Sequence, residues 1–147
     1  MLNDEVRLEI EHIAAQYDLK RAAAIEALLA VQRRAGWVSN EDLEEIGRVL
    51  RLTPAELENV ATFYNLILRR KVGRHVVLLC DSVSCWLMGC NQLADYFKSR
   101  FGIGFGETTA DGRFTLIPIA CLGNCDRAPT VIIDRDTHSR VSTEELD

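Results

Sequence analysis

The chain has 147 residues, 48% of them hydrophobic, and a formal net charge of −5. That length suits one compact domain, or a small domain with a helical extension, and that apolar content supports a buried core, which excludes disorder. Acidic residues outnumber basic ones in both halves, which excludes a phosphate-neutralising surface for nucleic acid.

Taken in chain order, the first half reads as helices. Val6, Ile10, Ile13 and Tyr17 fall on one stripe of an amphipathic helix. A second helix is expected from Arg21 to Arg34, with Ile25, Leu28, Leu29 and Gln32 along one side and Gly36 as its terminator. Ser39 followed by Asp42 forms a capping box for a third helix carrying Leu43, Ile46, Val49 and Leu50. Thr53-Pro54-Ala55-Glu56 is a sharper start signal: a capping threonine, proline at the first helical position, and a glutamate reaching back. The helix it opens carries Leu57, Val60 and Ala61 and reaches Phe63-Tyr64. Arg69-Arg70-Lys71 reads as a solvated linker. Residues 1–71 are thus expected to form a helical bundle without a cofactor signature.

The texture changes at Val72-Gly73. His75-Val76-Val77-Leu78-Leu79 is a short, partly β-branched apolar run and reads as a buried strand ending at Cys80. After a loop, Leu87, Cys90, Leu93, Ala94, Phe97 and Phe101 share one helical face, closed by Gly102 and Gly104. Residues 113–120 read as a second strand, 131–134 as a third and 140–142 as a fourth, with 134–138 as the turn between the last two. The first two strands should run parallel through a crossover. Ser142-Thr143-Glu144-Glu145 resembles the cap of a final helix. The fold class is α/β (α+β), with residues 72–147 as the second domain.

Four of the five cysteines form two pairs. Cys80 and Cys85 are separated by four residues, Cys121 and Cys125 by three, and each pair begins where a predicted strand ends. The ends of neighbouring parallel strands lie on one sheet edge, so the two loops should meet there. The N-terminal Met1-Leu2-Asn3-Asp4-Glu5 lacks the basic-then-apolar order of a secretory signal, and no apolar run is long enough to cross a bilayer. A reducing compartment is therefore expected, where disulfides are disfavoured. Four thiolates suit iron–sulfur ligation or structural zinc. Spacing favours iron, because zinc pairs are more often two residues apart, but it leaves zinc and unligated thiols open. A thioredoxin-type dithiol is disfavoured because no Cys-x-x-Cys occurs. Four thiolates and two sulfides would outweigh two ferric ions, leaving an anionic site that backbone N–H groups must stabilise. Asp81 and Asp126 beside the cysteines favour a low reduction potential, and Arg127 opposes it. Cys90 reads as a small buried thiol. Trp86 is expected either to pack in the core or to shield the metal site. His12 and His138 carry no catalytic spacing, His75 opens a strand, and Pro129 most simply starts one.

Cys80-x4-Cys85-Trp86-Leu87-x-Gly89, with Cys121-Leu122-Gly123-Asn124-Cys125-Asp126-x-Ala128-Pro129, resembles the thioredoxin-like 2Fe-2S ferredoxins, and among them the E-subunit family of respiratory NADH:quinone oxidoreductase (complex I). Ala24-Ile25-Glu26-Ala27-Leu28, Val31-Gln32, Gly36-Trp37-Val38, Val60-Ala61-Thr62-Phe63-Tyr64 and Asp111-Gly112-Arg113-Phe114 extend the likeness to roughly residues 5–145. The resemblance implies a thioredoxin-like second domain holding one 2Fe-2S cluster on Cys80, Cys85, Cys121 and Cys125, with no catalytic site of its own. It also implies a partner flavoprotein subunit that binds FMN and NAD(H), other peripheral-arm partners, and a cytoplasmic location peripheral to the inner membrane. NADH gives up a pair of electrons as hydride, and the cluster would hold one of them. Two rival readings remain: the small 2Fe-2S subunit of a soluble NAD-linked formate dehydrogenase or hydrogenase, and a zinc-stabilised interaction module. The sequence departs from the family pattern at Cys90, where a small or polar residue is usual, and it stops at Asp147 where relatives continue into a C-terminal helix.

Overall fold

A computed structural model describes residues 4–146. Met1, Leu2, Asn3 and Asp147, which the readings of the two chain ends include, lie outside them. The chain divides into two compact units, Met1–Lys71 and Val72–Asp147.

The first unit contains α1 (Asp4–Ala14), a 3₁₀ turn (Lys20–Ala23), α2 (Ala24–Ala35), α3 (Asn40–Leu50) and α4 (Pro54–Phe63). Both capping boxes form. Ser39 Oγ accepts the Asp42 N–H at 3.1 Å while Asp42 accepts the Ser39 N–H at 2.8 Å, and Thr53 exchanges the same pair of bonds with Glu56. Such a cap contributes about 1 kcal/mol. Three expectations change. Tyr17 lies beyond the end of α1, where its hydroxyl donates to Glu26 at 2.9 Å. The face that α2 buries is Ala24, Ala27, Leu28, Ala30 and Val31, because alanines let neighbouring helices approach closely; Ile25 and Leu29 sit at its margin. Gln32 instead pins the segment after α4, donating to the Leu66 carbonyl and accepting the Leu68 N–H. Arg69 is no solvated linker residue: its side chain is 16% exposed, pairs with Glu58 at 2.7 Å and donates to the Val38 carbonyl and to Asn40.

The second unit contains β1 (His75–Cys80), α5 (Val83–Leu87), α6 (Cys90–Phe101), β2 (Phe114–Ile119), a 3₁₀ turn (Cys125–Arg127), β3 (Thr130–Ile133), β4 (Asp136–Ser139) and a last 3₁₀ turn (Thr143–Leu146). The sheet order is β2-β1-β3-β4, with β1 and β2 parallel and the other pairs antiparallel. Alternation along the strands sends Val77, Leu79, Leu116 and Val131 into one core with Leu93 and Phe97 of α6. The expected single helix carrying Leu87 through Phe101 is broken. Gly89, at φ +98°, turns the chain between α5 and α6, and Leu87 is left 69% exposed. The fourth strand starts earlier than expected, because β3 and β4 join through the two-residue turn Asp134-Arg135 with Asp134 at φ +56°. The final cap holds a 3₁₀ turn: Glu145 accepts the Ser142 N–H at 3.0 Å.

Candidate metal centre

The register of β1 against β2 pairs Cys80 with Ile119, so Cys80 and Cys121 leave the sheet at the same edge. Cys80 is the last residue of β1 and 2% exposed; Cys85 projects from α5 into the core and is 1% exposed. Cys121 and Cys125 are exposed, with their sulfurs 3.9 Å apart. Gly123 between them adopts φ +73°, a conformation that costs glycine little, and its N–H donates to the Cys121 sulfur at 3.4 Å. The two loops meet. Leu122 and Ala128, on the second loop, pack into the core that holds Cys80 and Cys85, and Met88 lines one hollow with Cys125. The Thr130 backbone N–H, at the start of β3, favours the Cys85 thiolate.

The thiols push one another's ionisation upward. Burial, then the hydrogen bond and charge of Cys80, raise Cys85 from 9.0 to about 11, against the pull of the Thr130 N–H. Cys125 is raised chiefly by its hydrogen bond with Cys121 and by that neighbour's charge, while Ser84 works the other way. Burial raises Cys90, with Asp81 and Cys80 adding to it.

Among the described residues, no three His, Cys, Asp or Glu side chains converge as a single-ion site requires. The four thiols come instead as two pairs, with the Gly123 N–H already aimed at the Cys121 sulfur. That donor set fits a binuclear iron–sulfur cluster, in which each iron takes a pair of thiolates and the sulfurs accept backbone hydrogen bonds. Cys90 is 2% exposed and packs in the same core as Cys80 and Cys85. Trp86 does not pack inside: it is 56% exposed, on a face of α5 shared with Val83, Leu87 and Met88. Arg127 meets Asp126 at 3.7 Å, both side chains largely exposed, so a countercharge accompanies one of the two aspartates beside the thiols. Pro129 follows a cis peptide bond and precedes β3. Ser84 and Thr130 carry no sequence motif of their own, and Asn124 enters as a member of the Cys121–Cys125 motif with no role attached. Ser84 and Asn124 lie inside the cysteine spacings.

The family model described as "Thioredoxin-like [2Fe-2S] ferredoxin" matches residues 10–147. The NADH-quinone oxidoreductase E-subunit of Pseudomonas aeruginosa PAO1 is 48% identical over 141 residues, covering 96% of this chain and 85% of that one. The corresponding E-subunit of Escherichia coli K12 is 45% identical over 140 residues, 95% and 84% of the two chains. A solved structure of an NAD+-reducing [NiFe]-hydrogenase in the air-oxidised state matches with a TM-score of 0.73 and 25% identity over 84% of this chain, which spans 21% of the hydrogenase chain. This chain belongs to the thioredoxin-like [2Fe-2S] ferredoxin family, and within it to the E-subunit family of NADH-quinone oxidoreductase.

Proposed function

We propose that this chain is the electron-transfer subunit of a respiratory NADH:quinone oxidoreductase. It exchanges single electrons between FMN on a partner flavoprotein subunit and one 2Fe-2S cluster held by Cys80, Cys85, Cys121 and Cys125. The observation that carries this reading is the meeting of the two loops: Cys80 and Cys121 leave the sheet at one edge, and Leu122 and Ala128 pack into the core that holds Cys80 and Cys85. When bound, the cluster supplies a one-electron couple, which suits a chain placed after a hydride acceptor. The chain's own part is to supply thiolates, aim the Gly123 N–H at Cys121, and exclude water from the Cys80–Cys85 side.

Residues 1–71 form a helical domain and 72–147 the cluster domain in this reading. The complex is the enzyme, and this chain has no catalytic site of its own. No described helix is long and apolar enough to cross a membrane, and attachment to the cytoplasmic side runs through the partner subunits. The exposed Val83, Trp86, Leu87 and Met88, next to Cys85, are the surface such a partner would cover. Trp86→Asp should weaken co-purification with the flavoprotein subunit without loss of iron. The hydrogenase likeness favours a second reading, the 2Fe-2S module of an NAD-linked hydrogenase or formate dehydrogenase, which differs in the partner and not in the site.

The test is iron and sulfide analysis with electron paramagnetic resonance (EPR) of the dithionite-reduced chain. The expected result is a brown protein with about two irons and two sulfides per chain. Cys121→Ala should bleach it and Cys90→Ala should not. A colourless chain carrying a single zinc would overturn the reading.

A further inference from the structure

Asn124 stands between the two exposed thiols, yet its carboxamide is spent elsewhere. Its Nδ2 donates to Ser139 Oγ of β4 at 2.7 Å and to Thr130 Oγ1 of β3 at 3.2 Å. The Thr130 hydroxyl, on a residue 1% exposed, faces the carbonyls of Asn124 at 3.4 Å and Arg127 at 3.5 Å and donates back into the same loop. That same Thr130 opens β3, whose Val131 pairs with Leu79 of β1, one residue before Cys80. One residue therefore links the two thiol pairs, the buried one through the pairing of β3 with β1 and the exposed one through its side chain and Asn124.

One backbone bond also ties the loop to the segment after β4, where the Arg140 N–H donates to the Arg127 carbonyl at 2.8 Å. Leu122 packs against the core, but a Cβ built on Gly123 would meet nothing within 4 Å, and Cys121, Cys125 and Asp126 are exposed. Ordering such a segment costs about 1–2 kcal/mol per residue, which hydrogen bonds to rigid strands offset. Because β3 is paired with β1, which ends at Cys80, a loop fastened to β3 and β4 is fastened in register with the other pair.

We propose that Asn124 and Thr130 form a clamp that sets the spacing between the two thiol pairs, making both positioning residues for the metal centre although neither is a ligand. This rests on the ligand reading given above. Loss of a partner that orients a ligand typically costs 10–100-fold in metal affinity. Asn124→Ala and Thr130→Val, the latter nearly isosteric, should therefore release iron to a chelator about tenfold faster or more. Both should also shift the EPR g-values of the reduced protein. Thr130→Ser, which keeps the hydroxyl, should behave as wild type, and Ser139→Ala should show a smaller acceleration.

The outcomes separate cleanly. Asn124→Ala with wild-type iron release and g-values overturns the clamp, as does Thr130→Ser behaving like Thr130→Val. If Asn124→Ala does not fold, Ser139→Ala decides: faster iron release supports the clamp, and a wild-type rate overturns it. If the wild-type chain takes up no iron, the ligand reading has failed. The clamp is then read in the metal-free chain by NMR: slowed exchange of the Asn124 side-chain N–H protons supports it, and free exchange overturns it.

Discussion

The two thiol pairs share a sheet edge and little else. Cys80 and Cys85 sit on a strand end and a short helix, walled in by Leu79, Leu93 and Phe97, whereas Cys121 and Cys125 occupy an exposed loop held by hydrogen bonds. Their ionisation is raised for different reasons. Burial leads at Cys85 and the neighbouring thiol leads at Cys125. The first pair is thus built by packing before any metal arrives, and the second by local bonding. A metal centre with one walled side and one open side can be loaded through the open side while water is kept from the other. In the proposed ligand reading, the exposed loop is the place where assembly and loss of the centre would be controlled.

The largest expected effect that would break this contrast is a difference in reactivity. In the folded, reduced, metal-free chain, iodoacetamide should modify Cys121 and Cys125 on the order of a hundredfold or more faster than Cys80, Cys85 and Cys90. A buried thiol reacts only through an opening that costs several kcal/mol, and each 1.4 kcal/mol is about tenfold. Peptide mapping by mass spectrometry at short times reads this directly. Equal rates at all five cysteines would mean that the walled side opens freely, and the contrast between the pairs would collapse.

Part of this arrangement is legible in the residues. The capping boxes at Ser39 and Thr53 announce helices because each spacing satisfies reciprocal backbone bonds locally, and both are present in the fold. The placement of Cys80 at a strand end follows from the apolar run before it. The break between α5 and α6 is hidden, because Leu87 fits the helical stripe by spacing and only the left-handed turn at Gly89 removes it. The early start of β4 is hidden too: Asp134 carries a positive φ that few residues other than glycine tolerate. Ser84, Asn124 and Thr130 are illegible for a deeper reason. A short polar side chain has no periodicity, and its role exists only once a strand far away in sequence has been brought alongside.

A smaller effect sharpens the contrast through pH. Cys85 is raised in the folded chain from 9.0 to about 11, so the folded state holds its proton more tightly than the unfolded state does. Metal-free stability is therefore fully present below pH 9.0 and is lost as pH rises through about 11. Urea unfolding of the reduced, metal-free chain should show a falling midpoint across that window. Cys85→Ala should flatten most of the slope, while Cys125→Ala should change it little, because an exposed thiol transfers little of its shift into stability. A slope that survives Cys85→Ala unchanged would assign the proton to another group.

The smallest expected effect falls on the contact that joins the pairs. The Ser84 hydroxyl, in the loop of the walled pair, favours the thiolate of Cys125 in the open one. A hydrogen bond to a ligating sulfur stabilises the more negative, reduced state of an iron–sulfur centre and so raises its potential. Ser84→Ala should lower the midpoint potential by the net worth of one hydrogen bond, about 1 kcal/mol for a single electron. Ser84→Thr, which keeps the hydroxyl, should restore it. Protein-film voltammetry measures both. Because Ser84 is only partly buried and α5 is fixed by Cys85 inside the core, the substitution should leave iron content and thermal stability nearly unchanged. A potential that rises, or does not move, would mean that the hydroxyl does not bridge the pairs once the centre is loaded. The link between walled and open sides would then rest on the backbone of β3 alone.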